Sequence, residues 1–280
     1  MPIDESQILR VETMPKIPGR TSRRSLYLLY HELRPSGSRY SYVLETATFE
    51  RHLDLFLRLR QESSNSLWPE VTFDDGHISN FEYALPLLQS RDMKARFFIT
   101  VGWTGRKAGY MGWNELRALH EGGQPIGAHG WSHTLLTHCN KRDLERELVT
   151  ARAALEDKLG IPITTMSLPG GRYNRRVLGA CEQAGYTQVY TSIPKSEPPS
   201  RGSMVGRLNI RGDMELEWIA GVLEPGSPTL SSLGRQYQIK EAAKSVLGDR
   251  LYGKIWALVN RKEPDTYDGA DVGKGGGGPR

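Results

Sequence analysis

The chain has 280 residues, enough to bury a full core, and lengths in this range are often a single α/β barrel domain. Its charged fraction of 25% is ordinary for a globular protein. A net charge of +5, dispersed apart from a short cluster over residues 20–24, excludes the dense basic stripe of a nucleic-acid binder and leaves an anionic substrate open. Cys139 and Cys181 suit free thiols in a reducing compartment better than a disulfide scaffold. Residues 1–24 carry no apolar segment of signal-peptide length and read as an N-terminal extension. No apolar run approaches the ~18 residues that would span a bilayer. The expected location is therefore cytoplasmic, with peripheral membrane contact through the basic C-terminal region as the weaker option. The sequence does not specify an oligomeric state.

In chain order, residues 26–30 form an apolar, aromatic run suited to a buried strand. Residues 49–59 have helical spacing, with Phe49, Leu53, Phe56 and Leu57 on one side; His52 reads as a surface residue of that helix. A strand is predicted over 71–73, a helix over 80–89 disturbed at Pro86, and a strand over 95–101. Residues 114–120 form a short helix closed by Gly122-Gly123, with His120 on its surface. A short strand follows over 125–128. Leu144, Leu148, Ala151, Leu155 and Leu159 mark a long amphipathic helix ending at Gly160. Residues 163–168 read as a strand, 175–184 as a helix and 187–191 as another strand. This alternation argues for a parallel sheet with helices outside. Residues 193–206, rich in Pro, Ser and Gly, read as a long loop. A further strand over 207–210 and a helix over 216–223 follow. Residues 226–262 form a helical extension, with helical spacing from 237 to 258, and 263–280 a disordered tail. The main domain spans 25–225.

Two segments carry chemistry. Val71-Thr72-Phe73-Asp74-Asp75-Gly76 ends a β-prone run in adjacent carboxylates, and Gly76 permits the strand to end so that both can reach one site. His129-Gly130-Trp131-Ser132-His133 follows directly after the strand at 125–128. One carboxylate and two imidazoles form a facial metal-binding set with room for water and substrate, and a second carboxylate is then free to act as a base. Neither segment persuades alone: a histidine pair at this spacing arises by chance, and Asp-Asp-Gly is often a solvated turn.

In this order the segments resemble the polysaccharide deacetylase family, carbohydrate esterase family 4. Thr72-Phe73-Asp74-Asp75-Gly76 looks like its first motif. Residues 81–88 and 94–99 look like its usual helix and following strand. His129 to His133 looks like the second motif, with Gly130 where Ser or Thr is usual. Ser167-Leu168-Pro169-Gly170-Gly171-Arg172-Tyr173-Asn174 looks like the third. The resemblance runs from about Leu26 to Thr191 and implies an irregular, incompletely closed (β/α) barrel.

It also implies roles. Asp75, His129 and His133 would hold one divalent metal, zinc foremost among divalent transition metals, and Asp74 would take the proton from the attacking water as it removes an N-acetyl (or O-acetyl) group from a saccharide or glycan precursor. Gly170, where tyrosine is usual, would keep a backbone oxyanion donor, with Pro169 and Tyr173 near the substrate. Pro169-Gly170-Gly171 alone reads equally as a tight turn. Ser167 replaces the arginine that many members use to orient the base; Arg207 is the candidate substitute, with a plain surface charge as its alternative. No histidine follows His138, so the family's C-terminal general-acid motif is missing. Leu28-Leu29-Tyr30-His31 resembles the early histidine of permuted poly-N-acetylglucosamine deacetylases, which makes His31 the candidate acid. His77 is a pocket candidate, His138 a spare ligand, and Trp103, Trp113 and Trp131 are core or sugar-stacking residues. Two other readings share these residues: a metal amidohydrolase acting on a non-carbohydrate amide, and a silent sugar-binding protein.

Overall fold

The computed structural model describes residues 23–36, 38, 40–62, 67–198, 203–224 and 226–247. Most of the expected N-terminal extension, the C-terminal helix beyond 247 and the tail at 263–280 lie outside the described residues.

Ten strands are present: β1 (Arg24–Tyr30), β2 (Glu32–Arg34), β3 (Val43–Glu45), β4 (Leu67–Phe73), β5 (Ala95–Ile99), β6 (Ile126–Ala128), β7 (Thr165–Ser167), β8 (Gln188–Tyr190), β9 (Met204–Val205) and β10 (Arg207–Asn209). Eight form one parallel sheet in the order β10-β1-β4-β5-β6-β7-β8-β9, and β2 and β3 pair separately. The outermost strands, β9 and β10, are joined through the single residue Gly206, so the sheet curls into a nearly closed barrel with one unpaired seam. The first strand of the sheet thus lies beside the last: Leu29 is in register with Asn209.

The buried run of β1 is hydrophobic on both faces, as a parallel strand covered on both sides must be. Leu26, Leu28 and Tyr30 join the main core, whereas Tyr27 packs with Phe98, Tyr190 and Val205 in a second, mostly aromatic cluster. That period of two separates the helix-facing side from the barrel interior. The surrounding helices are α1 (Thr46–Gln61), α2 (Leu85–Gln89), α3 (Trp113–Glu121), α4 (Lys141–Glu145), α5 (Ala151–Leu159), α6 (Arg175–Gln183), α7 (Leu216–Leu223) and α8 (Pro228–Leu247).

Two helices contain π-helical turns. Asn80–Ala84 leads into α2, and the N–H of Leu85 bonds the carbonyl of Asn80, five residues back, just ahead of Pro86, which has no N–H to offer. Arg146–Thr150 joins α4 to α5, so the expected long helix is continuous but widened in its middle. Within the expected extension at 226–262, the helix begins at Pro228, ahead of the helical spacing read from 237, and proline suits its first turn. The β2–β3 pair was not expected; each strand is only three residues long.

His52 is a correction. It is fully buried, with Nδ1 hydrogen-bonded to the Tyr30 hydroxyl at 3.1 Å. It stands three residues after Phe49 and four before Phe56, on the apolar stripe of α1. Burial, reinforced by the nearby Arg51 charge, pushes its imidazole down to about 4. A folded-state pKa below the unfolded 6.5 means that the unfolded chain binds the proton first as pH falls. Stability contributed by neutral His52 is therefore present above about pH 6.5 and lost progressively toward pH 4. Between pH 7 and pH 5 the native protein is expected to lose about 2 kcal/mol more stability than His52→Gln, read from urea unfolding midpoints. Equal losses in both proteins would assign the acid sensitivity to other groups.

Candidate active site

The site forms at the C-terminal ends of the strands. β4 ends at Phe73, Asp74 N–H still bonds the Tyr30 carbonyl at 3.0 Å, and Asp75 turns into the left-handed region with φ +72°. That reversal lets two successive carboxylates face one cavity. His133 also adopts φ +61°. Such conformations cost on the order of 1–3 kcal/mol at a non-glycine residue and persist only where surrounding contacts enforce them.

Asp75 Oδ1 lies 3.3 Å from His129 Nε2 and 3.3 Å from His133 Nε2. One ligand atom from each of the three lies within 4.8 Å of the others, forming the one such metal-capable group among the described residues. The residues fit a metal on two further grounds. His129 Nδ1–H donates to the Ser167 carbonyl at 2.9 Å, which leaves the Nε2 lone pair facing the site. Asp75 Oδ1 is buried without a hydrogen-bond donor. For His133, burial outweighs the nearby Asp75 and holds its imidazole at about 4, so it is neutral and able to ligate at neutral pH.

Asp74 lies behind this set, with Oδ2 3.8 Å from His129 Nε2. Arg207, fully buried, grips it with two hydrogen bonds, Nη1 to Oδ1 at 2.7 Å and Nη2 to Oδ2 at 2.9 Å. Ser167 Oγ donates to Asp74 Oδ2 at 2.8 Å and accepts from Arg207 Nη2 at 2.7 Å. A guanidinium therefore reaches Asp74 from β10, while the third motif contributes a hydroxyl. Burial pushes the Asp74 carboxyl up, but the charge and hydrogen bonds of Arg207 lead the influences that outweigh it and hold the group below its ordinary value.

A cavity of about 510 Å³ opens over these groups, and His31, Asp74, Asp75, His129, His133 and Gly170 are among its walls. His31 Nδ1 is buried without a partner, and its ring lies 5.0 Å from that of Tyr42. Burial lowers its pKa despite the raising influence of Asp75 and Asp74. Gly170 has φ +63°, a backbone conformation that strains any larger residue, the usual tyrosine included, and a Cβ there would also press on Leu135 Cδ2 at 2.7 Å. Pro169 is buried beside Gly130, and Tyr173 is exposed; neither lines the cavity. His77 hydrogen-bonds Ser79 and lines a small neighbouring recess with His31 and Asp75. Trp103 is a wall of the cavity, whereas Trp113 and Trp131 are not. His120 is half-buried in α3, and His138 is exposed, outside the ligand group.

Sequence reasoning missed three contributions. Asn209 and Arg211 follow Arg207 at alternate positions and line the cavity, a period-two signal visible in the chain. Tyr40, Tyr42 and Tyr237 add aromatic walls from elements far apart in sequence. Glu147, 4% exposed, accepts hydrogen bonds from the N–H groups of Trp131 and Ser132 at 2.7 and 2.9 Å. Its signal was a carboxylate on an apolar helical stripe, three residues after Leu144 and four before Ala151.

Comparison with known proteins agrees with this geometry. Residues 69–189 match the sequence model of the polysaccharide deacetylase family. YxkH of Bacillus subtilis (strain 168), whose name assigns it provisionally to the polysaccharide deacetylases, is 27% identical over 132 residues, 47% of each chain. A chitin deacetylase of Pestalotiopsis sp is 28% identical over 123 residues, 44% of this chain and 41% of that protein. The chain thus spans about half the length of the curated relatives it matches. Among solved structures, Streptococcus pyogenes deacetylase PplD in complex with acetate aligns over 72% of this chain and 99% of its own, at TM-score 0.64 and 20% identity. IcaB from Ammonifex degensii aligns over 72% and 98%, at TM-score 0.61 and 22% identity. The segment that matches the polysaccharide deacetylase model, residues 69–189, is the one that carries both the carboxylate pair and the histidine pair.

Proposed function

We propose that the protein is a metal-dependent deacetylase that hydrolyses the N-acetyl amide of an acetylated saccharide. The observation that carries this reading is the juxtaposition of Asp75, His129 and His133 with a second carboxylate, Asp74, held ionised by Arg207. A silent sugar-binding protein has no need of both together. Asp75, His129 and His133 would hold the metal, and two imidazoles with one carboxylate are a donor set that suits zinc. A divalent metal bound there would supply an activated water and polarise the acetyl carbonyl.

The chain's own groups account for the remaining steps. Asp74 takes the proton of the attacking water; Arg207 and Ser167 fix its orientation and keep it ionised at neutral pH. Gly170, on the cavity wall, would offer its N–H to the developing oxyanion. His31 protonates the departing amine nitrogen. Its lowered pKa makes the protonated imidazole a stronger acid, with a smaller protonated fraction at neutral pH. Tyr42 and Trp103, both on the cavity wall, are the aromatic surfaces against which a sugar would lie.

Acetate release from a panel of N-acetylated saccharides and their precursors, with and without added metal, tests the activity directly. No acetate from any saccharide despite bound metal would point instead to a non-carbohydrate amide. Asp75→Ala, His129→Ala and His133→Ala should each strip the metal, because a three-ligand site has no ligand to spare; native zinc affinity in the triple variant would move the site elsewhere. Asp74→Asn should keep the metal and lose most deacetylation, and near-normal turnover would remove it from the role of base. His31→Ala should lower kcat on the amide by roughly 10²- to 10⁴-fold. The loss should be much smaller on an activated ester, whose leaving group needs no proton. Equal losses on both substrates would make His31 structural, and His77→Ala is the control.

A further inference from the structure

The loop that bears both candidate histidine ligands has little regular structure of its own. His129 N–H bonds the Ile99 carbonyl at 2.8 Å, and the Gly130 and Trp131 carbonyls accept from Val101 and Gly102 at 3.0 and 2.7 Å. These contacts secure one edge of the loop. The N–H groups of Trp131 and Ser132 point the other way, and both end on Glu147 Oε2, at 2.7 and 2.9 Å. Ser132 Oγ donates to Glu147 Oε1 at 2.6 Å, so both oxygens of one buried carboxylate are engaged within two consecutive residues. The next residue is His133, in its left-handed conformation.

Two local features place the carboxylate there. Glu147 lies in the π-helical turn Arg146–Thr150, whose wider spacing changes the direction of side chains relative to an unbroken α-helix. Gly130 has φ +78°, and a Cβ on it would stand 2.8 Å from Glu147 Oε2. The absence of a side chain at position 130, where Ser or Thr was expected, leaves room for the carboxylate to reach the loop.

We propose that Glu147 is a positioning residue: its carboxylate holds the 130–132 backbone in the one arrangement that carries His133 toward Asp75 and His129. Charge-assisted hydrogen bonds to two successive amides resist relaxation of the unfavourable φ at His133. The loop is thereby organised before any metal arrives. The consequence for metal affinity rests on the metal site proposed above; the bracing itself does not.

The test uses hydrogen exchange on the full-length, metal-free chain, followed by zinc competition. In Glu147→Gln, which keeps the volume and loses an acceptor, the Trp131 and Ser132 amides should exchange roughly 10- to 100-fold faster. Exchange at Phe97 and Phe98, on the neighbouring β5, and at Leu28, farther away on β1, should be unchanged. Zinc affinity should fall by about 10- to 100-fold, the usual effect of losing a partner that orients ligands. Ser132→Ala, which removes only the hydroxyl contact, should give a smaller change of the same pattern. Unchanged loop exchange in Glu147→Gln would overturn the proposal. So would faster exchange throughout the barrel, which would make Glu147 a general stabilising group. A native chain that binds no zinc would refute the metal site, and the exchange comparison would still decide the role of Glu147.

Discussion

A single buried guanidinium organises this barrel. From the start of β10, Arg207 reaches Asp74 at the end of β4 and Ser167 at the end of β7, and its Nε donates to the Thr191 carbonyl just past β8 at 3.1 Å. Its charged carbon also lies 5.3 Å from the ring of Phe98 on β5 and 5.8 Å from that of Tyr190 on β8. Four strands thus meet around one cation inside the sheet. A buried cation requires such company: removing one partner from a buried pair typically costs about 3–5 kcal/mol, because the other is left uncompensated. The interaction that settles the carboxylate for chemistry is therefore the same one that ties the interior together.

The departures from the usual motifs compensate one another locally. Where an arginine would follow β7, Ser167 supplies a hydroxyl and Arg207 supplies the charge from another strand. Where tyrosine would follow Pro169, a left-handed glycine packs close to Leu135. Where Ser or Thr would stand in the second motif, Gly130 admits Glu147. In each case the group lost from the motif has a replacement, or a steric reason for its absence, within hydrogen-bonding or packing distance.

The parts of the fold legible in the sequence were those governed by periodicity. The alternation of buried strands with apolar-striped helices specified the parallel sheet, and Asp74, Asp75, His129 and His133 stood out because two tight segments carry them. Features set by tertiary distance were harder to read. Glu147 and His52 both occupy apolar stripes, and each was obscured by the general rule that polar side chains face water. The π turns interrupt otherwise α-helical segments, one of them just ahead of Pro86, and residue spacing alone does not encode them. Three of the cavity's four tyrosines, Tyr40, Tyr42 and Tyr237, come from a loop before β3 and from α8, two regions that chain order keeps almost 200 residues apart.

The seam between β9 and β10 gives Arg207 a second significance. β10 has one ladder partner, β1, and its link to β9 is a single glycine. The cation that keeps Asp74 ionised is therefore mounted on an edge strand. Without that counter-charge, the burial of Asp74 would act alone and raise its proton affinity. The ionisation of one interior carboxylate is thus tied to the integrity of an edge strand, so that a change confined to the rim of the sheet is felt as charge at its centre.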